Sequence, residues 1–571
     1  MNQIIDDVHQ LLSRLVCQTQ LQNYMNRLFY CCVALTTCFC VHAQDASSIR
    51  IQKTSFKKDT LNVIQFGAKS DPFFENSKAI NEAILAMNKK GGGVVLIPAG
   101  TFISGPITLR SNVNLHLAKN ALLIFSSDFK LYPLVKSSFE GVDAARCQSP
   151  VSAENETNIA ITGLGIMDGN GFYWRPLKKE KVTDSEWKKH QLKYGGALTD
   201  DKKTWYPSVA AAEASTKKDI GKLINGKKPT DFEAIKDFLR PHMVRISGCK
   251  KVLIKDITFE NSPFWTTHIL LSEDITVSGL KVKNPWYGTN TDAIDVESCK
   301  NVLLEDCVFD TGDDGITIKS GRDEDGRKRG VPTQNVIVKN CTVYHAHGGF
   351  VVGSEMSGGV KNIYVSDCSF IGSDIGLRFK TTRGRGGVVQ NIYVKNINMK
   401  DIPGEAILFD MYYAAQDPIA IVGEKREPPI VETLPVTDAT PQFKNFFFDN
   451  IICDGASKAV FIRGIPEMPV KNVQLTHLYI KADKGIDIQE ADGVSISNSN
   501  IISKDTNPFA YILNSTNVHF NQMNFGKTAD LFMLLQGSRS GKIKLSKSNL
   551  GLAKKGIIAD FGATENMVEK N

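Results

Sequence analysis

A short phrase recurs along this chain of 571 residues. It consists of a polar residue or Asn, alternating apolar residues, an Asn or Asp, and a second short apolar pair. Its copies lie at 157–166, 250–259, 273–282, 300–309, 334–343, 361–370, 390–399, 444–453, 471–480, 492–501 and 516–525. Most starts from residue 250 onward are 21 to 34 residues apart. The period-two alternation predicts strands, and the Asn, Asp and Gly residues predict turns between them.

One such repeat cannot bury its apolar face alone, whereas stacked repeats bury a continuous core. The pattern therefore predicts an all-β fold, a single-domain right-handed parallel β-helix over residues 61–555. Two segments interrupt the repeat, at 175–240 and 415–440, and are predicted to be inserts. The flanking parts are an N-terminal extension at 44–60 and a C-terminal tail at 556–571. The repeat thus argues for one solenoid, although the length alone would suggest about four domains.

Residues 77–88 have the pattern of a short amphipathic helix that precedes the first strands. Its apolar face contains Ala79, Ile80, Ala83, Ile84 and Met87. Three consecutive glycines, 91–93, then end the helix. We expect this short N-terminal helix to cap the solenoid, because an uncapped end would expose apolar surface.

The N-terminus has the features of an export signal. An apolar run from Leu28 to Val41 is followed by small residues at the positions that a signal peptidase reads, ending at Ala43. We expect a signal peptide at 25–43, with 1–24 arising from an upstream start codon. The run is short for a membrane span. The mature chain is therefore expected without one, in the periplasm or outside the cell.

Composition narrows the partners of the mature chain. The formal net charge is +7 without clustered basic runs, so no nucleic-acid partner is expected. Seven of the 12 cysteines follow residue 43, and an odd number without a CxxC pair argues against a disulfide scaffold or a zinc site. Cys307, Cys341 and Cys368 share a repeat position and are expected to form a buried column. We expect a monomer.

Four stretches depart from the repeat and carry polar residues at coil spacing: YGTNTDAIDV at 287–296, DTGDDGITIKSG at 310–321, YHAHGGFVVGSE at 344–355 and GLRFKTTRGRGG at 376–387. Asp292 precedes Asp313 by 21 residues. Asp314, His347 and Lys380 follow one another at 33-residue steps. Because each step is about one coil, these residues should stack at about 4.8 Å on one face.

Three carboxyl groups this close cannot all keep ordinary pKa values, since like charges raise at least one of them. A protonated carboxyl beside ionised ones fits glycoside hydrolysis, which needs an acid for the leaving oxygen and a base for water. Arg378 and Lys380 fit an anionic sugar such as a uronic acid. Solvated turns or a Ca²⁺ site are the alternatives, although calcium favours more oxygen ligands. His345 is expected to be only a turn residue.

These stretches resemble glycoside hydrolase family 28, the polygalacturonases, whose motifs occur in the same order. The matching residues are Asn290-Thr291-Asp292, Gly312-Asp313-Asp314, Ala346-His347-Gly348 and Arg378-Phe379-Lys380. Ala346 replaces a glycine of the family's motifs and Phe379 an isoleucine, and neither exchange alters a reacting group. The resemblance extends over about residues 60–530. It implies a β-helical hydrolase that requires no metal and no cofactor.

The resemblance also implies catalytic roles. Asp313 would be the general acid. Asp292 and Asp314 would hold and deprotonate the attacking water, with inversion at the anomeric carbon. His347 would tune the protonation and position of the acid by hydrogen bonding.

Further residues would bind substrate. By the same resemblance, Arg378 and Lys380 would bind the carboxylate of a galacturonate unit. Asn290 would touch substrate or only close its turn. The family's substrate-binding tyrosine is expected at Tyr412 or Tyr413, and Tyr412 is preferred.

The expected function is hydrolysis of α-1,4-galacturonosyl linkages in a pectic polysaccharide or oligogalacturonide. The two inserts favour exo action, because they would wall off one end of the groove. Related alternatives are a rhamnogalacturonan or xylogalacturonan hydrolase and a pectate lyase. A non-catalytic carbohydrate-binding solenoid is a further alternative, but it would not need three acidic residues together.

Overall fold

A computed structural model describes residues 46–415, 428–526 and 528–570. The strands below lie in the unit Arg50–Asn571. The signal peptide predicted at 25–43, the segment 1–24 and residues 416–427 of the second predicted insert lie outside the described residues. No helix in the described ranges is both long and apolar enough to cross a membrane.

Parallel strands stack coil upon coil, and most pair with the strand one coil before and one coil after. The face that matters for function, here called the site face, contains Val151–Glu154, Val244–Ser247, Thr267–Leu270, Ile294–Glu297, Ile316–Lys319, Phe350–Val352 and Leu377–Lys380. A second face contains Thr157–Gly163, Lys250–Lys255, Glu273–Ser278, Lys300–Glu305, Thr333–Lys339 and Val360–Ile371. A third contains Ile166–Asp168, Thr258–Glu260, Lys281–Lys283, Val308–Asp310 and Thr342–Tyr344.

The same stacking extends toward both ends of the chain. The first coils contain Thr60–Asn62, Gly93–Ile97, Gly100–Ser104, Ile107–Thr108, Val113–Leu117 and Ala121–Phe125. Long strands then bend along successive faces: Val388–Asp410, Gln442–Arg463, Val470–Gln489 and Ala491–Leu513. The last are Thr516–Asn524, Ala529–Gln536, Ile543–Ser546, Ala553–Asp560 and Val568–Lys570. The predicted right-handed parallel β-helix is confirmed, and the segment predicted as a tail at 556–571 contributes strands to it.

The asparagines of the repeat explain why coils turn where they do. Asn335, Asn362 and Asn391 each have positive φ, from 57° to 59°, a conformation that asparagine tolerates better than most residues. Their side chains also form a ladder between coils. The amide of Asn362 donates to the side-chain oxygen of Asn335, and Asn391 donates to Asn362, each at 3.2 Å. The recurring asparagine therefore forms the turn of its own coil and a side-chain hydrogen bond to the asparagine of the neighbouring coil.

Apolar side chains that alternate inward along the strands fill one continuous core. The predicted cysteine column is buried and its thiols are free. A helix at Ser77–Lys89 buries the predicted face from Ala79 to Met87 against the first strands. Its role as a cap on the end of the solenoid stays a prediction.

The chain leaves the solenoid earlier than the predicted insert at 175–240. A hairpin of Leu134–Phe139 and Val142–Cys147 comes first. The chain then returns to the solenoid for the coil of Val151–Glu154, Thr157–Gly163 and Ile166–Asp168, and leaves it a second time for a small sheet of Leu177–Lys178, Ala197–Leu198 and Thr204–Tyr206. Helices at Asp184–Tyr194 and Val209–Ser215, and 3-10 turns at Pro229–Phe238, complete the excursion. A further helix, Asp323–Arg329, follows the site-face strand that ends at Lys319.

Candidate active site

The polar loops of neighbouring coils meet at one end of the site-face strands. The strands Ile294–Glu297, Ile316–Lys319, Phe350–Val352 and Leu377–Lys380 pair in register. Between the loops that precede them, the Ala293 amide donates to the Asp314 carbonyl at 3.0 Å, and the His347 amide donates to the Asp313 carbonyl at 3.1 Å. The backbone therefore stacks the acidic loops and the histidine loop, as their spacing predicts.

The carboxyl groups of Asp292, Asp313 and Asp314 converge, since one oxygen of each lies within 4.8 Å of the others. Asp292 is buried, and Oδ1 has no hydrogen-bond partner among the described residues. Burial raises the pKa of Asp292 well above its ordinary value, and the nearby charges of Asp295 and Asp313 raise it further. Burial raises the pKa of the neighbouring Asp295 in the same way, so the two buried carboxyls favour a proton between them.

Asp314 is buried too, but two cations keep it ionised. The Lys380 ammonium donates to Asp314 Oδ2 at 2.7 Å, and Nη1 of Arg378 lies 3.6 Å from Oδ1. Burial alone would raise the pKa of Asp314, yet the charges of Lys380 and Arg378 outweigh it and hold the pKa below its ordinary value. Neighbouring coils thus present one carboxyl whose pKa is raised and one whose pKa is lowered, a division of roles that acid–base chemistry uses.

Asp313 accepts hydrogen bonds from several neighbours. The Asn290 amide donates to Oδ2 at 3.1 Å, and the Asp314 amide donates to Oδ1 at 2.9 Å. Nδ1 of His347 lies 3.2 Å from Oδ1, and this hydrogen bond raises the pKa of His347 although burial opposes it. On the other side of the ring, Nε2 lies 3.8 Å from Asp374 Oδ2. The predicted partnership of His347 with Asp313 is therefore present in the structure.

The tyrosine beside the cations is Tyr413 rather than the preferred Tyr412. Lys380 Nζ lies 4.9 Å from the centroid of the Tyr413 ring, and the Arg378 guanidinium lies 5.6 Å from it. Tyr412 is instead buried against the core, with its ring 5.1 Å from Arg463. The two residues follow the strand that ends at Asp410, where the turn points them to opposite sides.

Two charged groups that were missed in the sequence, Lys319 and Glu355, lie with Asp295 beside the carboxyl cluster. Lys319 is buried, with Nζ 3.0 Å from Glu355 Oε2 and 3.7 Å from Asp295 Oδ1. Burial alone would lower the pKa of Lys319, but the charges of Glu355 and Asp295 outweigh it and raise it. Lys319 stays charged and offsets part of the negative charge around Asp292. Lys319 lies in the polar stretch at 310–321 and Glu355 in the one at 344–355. The spacing of the coils is the one sequence signal that could have identified them.

Three converging carboxyls can also hold a cation, and a Ca²⁺ site is the alternative to a catalytic role for this cluster. The Lys380 ammonium already contacts Asp314, and Asp292 favours its proton. Calcium takes about six to eight oxygens. The donor set therefore fits proton transfer better than metal binding.

The hairpin of Leu134–Phe139 and Val142–Cys147, here called the cross-groove hairpin, spans the site face on the Asn290 side of the cluster. Its base precedes the strand Val151–Glu154, whereas its turn meets the segment that follows Lys319. There, Arg322 Nη1 lies 3.1 Å from Glu140 Oε2, and Arg329 donates to the Gly141 carbonyl at 3.3 Å. Along its length, the Phe139 ring packs 5.6 Å from Phe264.

Asn290 connects the carboxyl cluster to this covered part of the face. Its side-chain oxygen accepts a hydrogen bond from Arg240 at 2.9 Å, while its backbone amide binds Asp313. Its φ of 56° shows that it also forms the turn. The turn expected at Asn290 is present, whereas its contact with substrate stays a prediction.

Comparison with known proteins agrees with these observations. The sequence profile described as "Glycosyl hydrolases family 28" matches residues 226–424, and one described as "Rhamnogalacturonase A/epimerase, pectate lyase-like" matches residues 60–124. A "Probable polygalacturonase" of Vitis vinifera is 27% identical over 78% of this chain and 80% of its own length. An "Exo-poly-alpha-D-galacturonosidase" of Dickeya chrysanthemi is 26% identical over 65% of this chain and 60% of its own length.

A solved structure gives the same picture. The crystal structure of a hyperthermoactive exopolygalacturonase from Thermotoga maritima superposes with a TM-score of 0.61 at 28% identity. The match covers 84% of this chain and 95% of that one. The matched profile at 226–424 contains all of the carboxyl cluster, His347, Arg378 and Lys380. The chain is therefore a glycosidase that acts on O-glycosyl bonds, and in both sequence profile and fold it is similar to glycoside hydrolase family 28.

Proposed function

We propose that this enzyme hydrolyses α-1,4 linkages between galacturonate units of pectin, working from a chain end. One observation carries the proposal: a cluster of three carboxyls, within 4.8 Å of one another, borders the cations Arg378 and Lys380. Acid and base groups cleave the glycosidic bond, and cations recognise a sugar that is itself an acid. The names of the relatives, polygalacturonases and an exo-galacturonosidase, support the same substrate class.

The cluster needs one proton in the right place. In the proposed reaction, Asp313 gives a proton to the leaving oxygen, and ionised Asp314 takes one from a water that Asp292 helps to hold. Substrate binding has to bring the proton that Asp292 and Asp295 favour to Asp313. After each turnover, the proton gained by Asp314 returns to Asp313. Oxygens within 4.8 Å of one another are close enough for such a transfer through one water.

We propose inversion at the anomeric carbon, as the family resemblance implies. The observed separation gives this proposal a sharp test, because it is below the roughly 6.5–9.5 Å usual between the carboxyls of inverting glycosidases. Two carboxylates, rather than one, would position the water here. Proton NMR of the first product decides between the outcomes: the β-anomer supports inversion, and the α-anomer would show retention.

Arg378 is the better placed of the two cations for a substrate carboxylate. Its side chain is 17% exposed against 7% for Lys380, and its Nη1 lies 3.6 Å from Asp314, farther than the ammonium of Lys380 does. Lys380 is tied to Asp314, but its ammonium has three donors. Tyr413, which lies beside both, would form a wall for the sugar ring. This combination binds one uronate next to the cleaved bond.

Action from a chain end is supported by the cross-groove hairpin. The ion pairs of Arg322 with Glu140 and with Asp219, each at 3.1 Å, fasten its turn beyond the far end of the site-face strands. A polymer lying along the face would meet this barrier on the Asn290 side of the cluster. Chain ends would enter, whereas internal segments would be excluded.

A rhamnogalacturonan hydrolase is the second candidate, favoured by the profile match at 60–124. That stretch contains none of the residues of the carboxyl cluster. Time-resolved product analysis on polygalacturonate and on rhamnogalacturonan separates the candidates. We expect saturated galacturonate or short oligomers from polygalacturonate at the earliest times, no ultraviolet-absorbing product and no loss of rate with chelator. Faster release from rhamnogalacturonan, or an unsaturated product, would overturn the proposal.

Export of the enzyme fits a polymeric substrate that cells cannot take up. We infer a periplasmic or extracellular location from the predicted signal peptide at 25–43, together with this substrate class. Mass spectrometry of the mature chain, which identifies its first residue, tests the inference. We expect the mature chain to start directly after Ala43.

A further inference from the structure

A cavity of about 260 Å³ lies between the cross-groove hairpin and the segment 215–240. It reaches Thr289 and Asn290, so it adjoins the loop whose backbone binds Asp313. Aromatic side chains form much of its wall, among them Phe139, Trp174 and Tyr206. A sugar in this cavity would therefore lie next to the carboxyl cluster, against rings that suit its apolar faces.

Arg146, in the hairpin wall of this cavity, is a buried cation, and among the described residues no carboxylate contacts it directly, although Glu140 of the same hairpin lies near enough to act on its charge. Its exposed fraction is 4%, and its guanidinium lies 4.0 Å from the centroid of the Phe139 ring and 5.0 Å from that of Phe264. In the part of the chain that the structure describes, its side chain has neither a hydrogen bond nor a carboxylate within 4.0 Å, and its Nε is fully buried. Burial and the neighbouring charge of Arg240 together lower the pKa of Arg146 to about 9, against the opposing charge of Glu140.

A second arginine of the cavity wall, Arg240, differs from Arg146 in that its guanidinium is hydrogen-bonded. Arg240 also lines the cavity, but its guanidinium donates to the carbonyls of Pro263 and Thr289 at 3.1 and 2.9 Å, and to the Asn290 side chain at 2.9 Å. Arg240 therefore holds the loop in place and adds positive charge to the wall. Arg146 keeps its donors unused, although an unpaired buried guanidinium is costly and proteins normally satisfy it. The cavity lining also contains Asp219 and Asp237, of which Asp219 pairs with Arg322 at 3.1 Å. It is therefore the part of the wall formed by Arg146 and Arg240 that is complementary to an anion.

We propose that Arg146 binds the carboxylate of a uronate unit at the closed end of the groove, so that the cavity takes the terminal sugar of a galacturonate chain. The inference rests on the function proposed above and adds to it. Arg378 and Lys380 would bind a uronate on the Asp314 side of the cleaved bond, and Arg146 would bind one on the Asn290 side. The enzyme would thereby require acidic sugars on both sides. Rhamnogalacturonan, in which uronate alternates with neutral rhamnose, cannot meet that requirement.

Kinetics on matched substrates test the proposal. Wild type and Arg146→Gln are compared on trigalacturonate and on the same trimer with its non-reducing terminal carboxyl methyl-esterified, and then with its reducing terminal carboxyl esterified. We expect Arg146→Gln to raise KM for trigalacturonate about tenfold or more, as the loss of a charge-assisted contact predicts, with a smaller change in kcat. For one of the two esters, the KM of the wild type should be higher than for trigalacturonate by a similar factor. Arg146→Gln, in contrast, should have the same KM for that ester and for trigalacturonate.

The control variant is Lys136→Gln, which removes the same charge from the same hairpin at an exposed site paired with Asp143. It should keep the wild-type KM. Circular dichroism checks that each variant folds. If Arg146→Gln fails to fold, the test is the ratio of the wild-type KM values for each ester and for trigalacturonate.

The outcomes separate the two proposals. If the wild type cleaves trigalacturonate, but Arg146→Gln discriminates against both esters as strongly as the wild type does, the role of Arg146 is overturned and the proposed function stands. Equal use of the acid and both esters by the wild type also overturns it. If the wild type does not cleave galacturonate chains at all, both proposals fail together.

Discussion

The ammonium of Lys380 lies 2.7 Å from Oδ2 of Asp314, and both side chains are buried. This ion pair holds the pKa of Asp314 low, so Asp314 is ionised where catalysis needs a base. Replacement Lys380→Gln should let that pKa rise. The acidic limb of the kcat profile would then move to higher pH, because the ionised base is lost sooner as pH falls.

A pH–rate profile on polygalacturonate measures this shift. Lys400→Gln, at an exposed lysine beside Asp401, is the matched control and should leave the profile unchanged. A Lys380→Gln enzyme in which only KM rises, with the acidic limb unmoved, would show that Lys380 binds substrate without tuning Asp314.

Asp313 is expected to be indispensable. Asp313→Asn keeps the shape of the side chain but removes the transferable proton, so kcat should fall roughly a hundredfold to ten-thousandfold. Asp310→Asn offers a close control, since Asp310 pairs with His345 at 2.9 Å on the exposed side of the same loop. Retention of more than a few per cent of activity by a folded Asp313→Asn variant would assign the acid role elsewhere.

Deprotonation of His347 should produce the basic limb of the enzyme's pH–rate profile. The hydrogen bond to Asp313 raises the pKa of His347, so the shared proton persists above the ordinary histidine range and is lost as pH rises further. In His347→Gln, kcat should fall and this limb should disappear from the pH–rate profile. His345→Gln, at the exposed partner of Asp310, should behave as wild type. A basic limb that survives in His347→Gln would belong to another group.

The asparagine ladder should be measurable as stability. Asn362→Ala places an ordinary side chain at a φ of 57° and breaks both ladder bonds, at a cost of about 2 kcal/mol. Asn362→Gly loses the bonds but tolerates the turn, so its loss should be smaller. Urea unfolding gives both values. Equal losses in the two variants would mean that the turn conformation contributes nothing.

Much of this architecture could be predicted from local pattern. The repeated asparagine serves every coil in the same way, so the β-helix shows in the sequence. The reacting groups follow because Asp292 and Asp314 stand at one point of successive coils, and Asp313 and His347 at the point one residue before it. Position along a coil did not decide between Tyr412 and Tyr413, however, since one residue at a turn reverses the side to which a ring points.

Contacts between distant parts of the chain had no such pattern. Glu140 and Arg322 are 182 residues apart in sequence, and only the folded chain shows that they meet. Arg146 stands in a stretch that carries no motif, and its burial next to aromatic rings depends on how the hairpin packs. Lys319 and Glu355 lie in stretches that the sequence already marked as polar, but their pairing needs the register of two coils.

The hairpin contact provides the test of exo action. Arg322→Ala removes the ion pairs with Glu140 and Asp219 and should loosen the turn of the cross-groove hairpin. Internal segments of polygalacturonate would then reach the carboxyl cluster. We expect a larger fall in viscosity per reducing end released than with the wild type, at a similar rate on trigalacturonate. Lys328→Ala, at an exposed lysine of the neighbouring helix Asp323–Arg329, is the control and should keep the wild-type ratio. If Arg322→Ala releases only chain-end products, as the wild type is expected to do, the hairpin does not determine where the enzyme cuts.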